Sequence, residues 1–157
     1  METVLSVISL SATTSSTLVI NQISSLSNNV FTLLNHITSI SISNTTHQTE
    51  IIKILSKTDV EANIKLLHAI ILEIPPSYNS SSIIIALENI KDIISKIDME
   101  LQSIHDKIAY NSNIYILSNI RSYDCKSNLD KIEILIAILD RRSNNLFNTV
   151  KFFNELN

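Results

Sequence analysis

The chain has 157 residues, of which 45% are hydrophobic, with a formal net charge of −3, one cysteine, no tryptophan and no glycine. That length suffices for one domain with its own core, and the missing glycine excludes dinucleotide loops and P-loops, whose backbone must approach phosphate. The small charge, with no basic cluster interleaved with aromatics, gives no footprint for nucleic acid.

Residues 3 to 49 contain no Asp, Glu, Lys or Arg. Within them, Thr3 to Leu10 is apolar, and Ser11 to Thr17 is a run of small, mostly hydroxyl residues with poor helix propensity. We read residues 1–16 as a frayed or partner-ordered N-terminal extension. Val19, Ile23, Leu26, Val30, Leu33, Ile37 and Ile40 then recur at alternating steps of four and three. This predicts a first helix over about 17–41 and marks those seven residues as a candidate interaction face. Residues 38–43 alternate polar and apolar as a strand does, a six-residue pattern that the seven heptad matches outweigh.

After a polar joint at 44–47, a second helical region is predicted over 49–74, with Val60, Ile64, Leu67, Ile71 and Ile74 on its seam. Pro75 and Pro76 stop it. Thr58-Asp59-Val60-Glu61 reads as a capping box, which predicts a bend near 57–58. The third helix, about 81–110, carries Ile or Leu at every seam position: Ile83, Leu87, Ile90, Ile94, Ile97, Leu101, Ile104 and Ile108. Asp92 and Lys96 offer an i,i+4 pair on its wet side. Residues 111–126 lose the heptad, and Ile114, Leu117 and Ile120 suggest a short lidding helix. Ser127 and Asn128 are candidate caps for a fourth helix over 127–154, whose seam runs Leu129, Ile132, Ile136, Leu139, Ser143, Leu146, Val150 and Phe153.

Helices of matched length with short joints predict an all-α fold, an antiparallel four-helix bundle of coiled-coil-like helices over 17–157. Isoleucine at both seam positions leans such helices toward trimers or larger assemblies. No run is long and apolar enough to span a bilayer. Glu2 stands where a signal peptide would be basic. The expected location is therefore the cytoplasm or an assembled particle.

Chemistry-bearing residues are few. His36, His47, His68 and His105 show no His-x3-His spacing, so a metal site would require the fold to pair distant histidines, and none is expected. Cys125 lies between Asp124 and Lys126 with no neighbouring base. Glu88, Asp92, Asp98 and Glu100 fall off the third helix's apolar seam and read as a solvated face. Arg141 and Arg142 suit either an anion or the negative end of their helix. No catalytic residue, cofactor site or metal ligand is expected, and no enzyme.

The charge-free first helix is the strongest functional signal. Ser24, Ser25, Ser27, Asn28, Asn29, Thr32 and Asn35 stand where a solvated helix carries Lys and Glu. Uncharged side chains avoid the desolvation cost of charge inside an assembly. The expected function is a structural or adaptor protein whose partner is itself or a larger protein assembly. The alternatives are peripheral attachment to a membrane surface through the same segment, and a small bundle that binds a partner helix. The Ile-, Asn- and Ser-heavy vocabulary resembles that of short proteins from AT-rich genomes, including large DNA viruses. That resemblance, in composition and not in any motif, implies a virion or assembly component.

Overall fold

The computed structural model describes residues 15–40, 46–112 and 124–156. They form five helices: α1 (Ser16–Ile40), α2 (Thr46–Thr58), α3 (Val60–Leu72), α4 (Ser81–Ser112) and α5 (Lys126–Leu156). The all-α class is as the heptads predicted, with boundaries within three residues. The region 1–14, the joint 41–45 and the expected lid over 114–120 lie outside the described residues, as do residues 41–43 of the strand-like tail.

Local chemistry sets the helix ends. The Ser15 hydroxyl accepts the Leu18 amide at 3.2 Å, and that of Ser80 accepts the Ile83 amide at 3.4 Å. Both satisfy a donor that the first turn leaves orphaned. The fourth cap lies upstream of the predicted one: Asp124 Oδ1 accepts the Lys126 amide at 2.8 Å. Asn128 is instead inside the helix, its side chain drawn into tertiary bonds.

The bend arrives as predicted, by a different device. Thr58 stays in α2 and donates its hydroxyl back to the carbonyls of Ile54 and Leu55, both at 3.1 Å. It therefore caps nothing, and Glu61 pairs with Lys65 instead of closing a box. Asp59 supplies the break by adopting the left-handed conformation, φ 49° and ψ 39°. In a chain without glycine, Asp is among the residues that bear this at least cost.

α4 is the centre of the packing, meeting α1 on one side and α5 on the other, while α3 packs on α1 and both α2 and α3 pack on α5. Cross-helix contacts give the directions. Gln22 meets Lys91 and His36 meets His105, the same sequence separation each time, so α1 and α4 run parallel. Ser24 with His68 and Phe31 with Lys65 make α1 and α3 antiparallel. Lys107 with Asn128, Glu100 with Lys131 and Asp92 with Arg142 do the same for α4 and α5. Lys57 with Glu133 and Tyr78 with Asn154 put α5 parallel to the α2–α3 arm.

Each arm thus reverses on the one before it, as short joints require. The Pro75–Pro76 turn, however, carries the chain across the bundle, so α3 and α4 are consecutive but not principal neighbours. The core between the arms is almost wholly aliphatic, with Ile23, Ile37, Ile64, Ile71, Leu87, Ile90, Ile97, Leu101 and Ile104 closed to solvent. Among the described residues no helix is long and apolar enough to cross a membrane.

Candidate functional site

The seven-residue seam of α1 faces inward. Val19, Ile23, Val30, Leu33 and Ile37 are buried in the chain's own core, and Leu26 packs against it half-covered. The side chain of Ile40 lies outside the described residues. What α1 leaves on the surface is its uncharged side: Asn21, Gln22, Ser25, Asn28, Asn29, Thr32, Asn35, His36 and Ser39.

Four hydroxyls of α1 are spent on their own helix, while Ser27, expected on the outer face, is buried with its hydroxyl unpartnered among the described residues. Ser24 donates to the Ile20 carbonyl at 3.0 Å, Thr32 to Asn28 at 3.0 Å, Thr38 to Leu34 at 2.9 Å and Ser39 to His36 at 2.9 Å. Such back-bonding lets Ser and Thr sit in a helix without lysine or glutamate around them. It leaves the amides of Asn21, Asn28, Asn29 and Asn35 as the main outward polar groups. Among the described residues, charge reaches α1 at its edges, where Lys91 donates to Gln22 Oε1 at 3.1 Å and Lys65 stands 5.6 Å over the Phe31 ring.

Ser24 and His68 come within 2.8 Å, a pair that no local spacing announces. A nucleophile needs its base to accept the hydroxyl proton. Ser24 has one hydroxyl proton, and the Ile20 carbonyl at 3.0 Å competes for it, an arrangement in which His68 Nε2 donates. Among the described residues no carboxylate holds His68 in the opposite tautomer. The contact ties α1 to α3. Cys125 is buried, and burial pushes its thiol up, with Lys107 opposing and Asp124 adding to a smaller degree. A thiol so placed is a poor nucleophile.

The acids of α4 are less uniformly solvated than their positions suggested. Asp92 is exposed, and its carboxyl is held below the usual carboxylate range chiefly by the Lys96 hydrogen bond at 2.9 Å, with Arg142 helping at 3.5 Å. Arg142 also donates to the Asn89 carbonyl, so this arginine reads a carboxylate on its own neighbour. Glu88 pairs with Lys91. Glu100 is mostly covered and bonds Lys131 at 3.0 Å and Asn128 at 2.7 Å.

Asp98 stands apart. Its Oδ1 is buried without a hydrogen-bond partner, and burial pushes its carboxyl above the usual range. A raised folded pKa means that the native state holds the proton more tightly than the unfolded chain does. The penalty is full above that raised value and vanishes as pH falls below the ordinary carboxylate range. Asp98→Asn is therefore expected to stabilise the fold at pH 7 and to change it by almost nothing at pH 3. Urea unfolding at the two pH values checks this; an equal difference at both would refute ionisation as the cause.

A shallow depression of about 630 Å³ runs past Asp98, Gln102, Asp106, Lys107 and Tyr110, all on α4. Among the described residues one helix supplies every wall, so their polar groups do not converge on it from several sides as in a ligand pocket. Among the described residues no three His, Cys, Asp or Glu residues are grouped to hold a metal ion. No protein-family model matches the chain, and no curated protein or solved structure matches it either.

Proposed function

We propose that this chain is a non-enzymatic structural or adaptor protein that works by helix–helix assembly, with the outer face of α1 as its contact surface. The observation that carries this reading is the contrast between α1 and the other helices. Over 25 residues α1 has no Asp, Glu, Lys or Arg, while α3, α4 and α5 each carry ion pairs on their surfaces. With the apolar seam used inside the chain, the uncharged face is the part of α1 whose composition the fold itself does not require. Carboxamides and hydroxyls can be buried against a like surface at lower desolvation cost than charges. Membrane attachment draws no such support, because the outward residues of α1 are mainly amides and hydroxyls, with Leu18 the large apolar exception.

Removing α1 would remove part of the core, so the test uses surface charge. Asn21, Asn28 and Asn35 lie seven residues apart on one exposed stripe. The intact chain is expected to show a multiple of 17.6 kDa by light scattering on a sizing column. Asn21→Glu, Asn28→Glu and Asn35→Glu together are expected to return it to a single-chain mass with the helical signal unchanged. A single-chain mass for the unaltered protein would overturn self-assembly, and an unchanged multiple in the triple variant would move the contact away from α1.

A further inference from the structure

The parallel register of α1 and α4 brings together two histidines that are distant in sequence. His36, exposed on α1, and His105, partly exposed on α4, have ring centroids 5.8 Å apart with planes inclined by 35°. Ring nitrogens bind zinc at about 2.0–2.1 Å, so an ion shared by two imidazoles places their centroids about 5 to 6 Å apart. The observed separation falls in that span.

The surroundings of His105 match what a ligating imidazole needs. Asp106 Oδ1 lies 3.3 Å from His105 Nδ1. Gln102 Nε2 donates to that same Oδ1 at 2.8 Å, holding the carboxylate in place. A carboxylate on Nδ1 fixes the tautomer in which Nε2 carries the free lone pair, the usual outer arrangement of a metal-bound histidine. We propose that His36 and His105 form a two-histidine site for a borderline divalent cation such as Zn²⁺, Cu²⁺ or Ni²⁺, with Asp106 as the positioning residue. Imidazole donors suit these ions and not Mg²⁺ or Ca²⁺, which take oxygen ligands. With two protein ligands the ion is exchangeable, and its effect is to clamp α1 against α4.

The test is calorimetric titration of tag-free protein with Zn²⁺, then with Mg²⁺, beside thermal unfolding in each. One Zn²⁺ per chain, a raised melting temperature and no response to Mg²⁺ are expected. His36→Ala and His105→Ala should each abolish the site while leaving the helical signal intact. His68→Ala, on another helix, should leave binding unchanged. Asp106→Asn should weaken binding by about tenfold. Absence of Zn²⁺ binding, or binding that survives either histidine substitution, would overturn the site.

Discussion

Ile97→Ala is expected to cost about 3 to 4 kcal/mol of folding stability. Ile97 has no exposed surface and lies midway along α4, the helix that touches both α1 and α5. Deleting three carbons there removes transfer free energy and leaves a cavity that neighbours on two sides cannot both collapse to fill. A domain of this size is stable by about 5 to 15 kcal/mol, so the loss is a large fraction of the whole. Ile134→Ala, at a site 61% exposed on α5, should change stability by less than about 0.5 kcal/mol. Urea unfolding of the two variants beside the parent measures both. A loss under about 1 kcal/mol at Ile97 would contradict the central position of α4.

The second large effect is expected at Asn128, which joins the C-terminal half of α4 to the start of α5. Its Oδ1 accepts from Lys107 Nζ at 2.6 Å, and its Nδ2 donates to Glu100 Oε2 at 2.7 Å. Lys107 also reaches the Asp124 carbonyl at 2.9 Å, beside the amide cap of α5. Asn128 is buried, so its removal leaves charged groups short of partners they had in place of water. Asn128→Ala is expected to cost about 2 kcal/mol, since hydrogen bonds to charged groups exceed neutral ones. Lys107→Met removes the other end of the same link. The double variant should then lose clearly less than the sum of the two single losses, because both act on one network. Additive losses would mean that Asn128 and Lys107 act separately.

Much of this was legible in the chain. The eight seam positions of α4 are buried without exception, because a 3.5-residue apolar period leaves a helix one face to hide. The bend near Thr58 was legible too, but not its mechanism. Capping-box residues announce a helix start only if the first of them leaves the preceding helix, and Thr58 did not. The cap of α5 was misplaced for a related reason: Asn128 suits a cap by residue type, and burial beside Glu100 and Lys107 drew its amide elsewhere.

The sequence alone determined the class and the arms: where helices run, which side of each is apolar, and that α1 carries no formal charge. Those follow from periodicity and composition, which are local properties. Spatial order is not local. Four amphipathic arms can close around one core with α4 beside α3 or beside α1, and an aliphatic seam does not distinguish these pairings. The tertiary structure decided it by sending the Pro75–Pro76 turn across the bundle and laying α4 parallel to α1. From that choice come the His36–His105 pair and the Lys91–Gln22 bond, because each needs a register between helices that no single helix encodes.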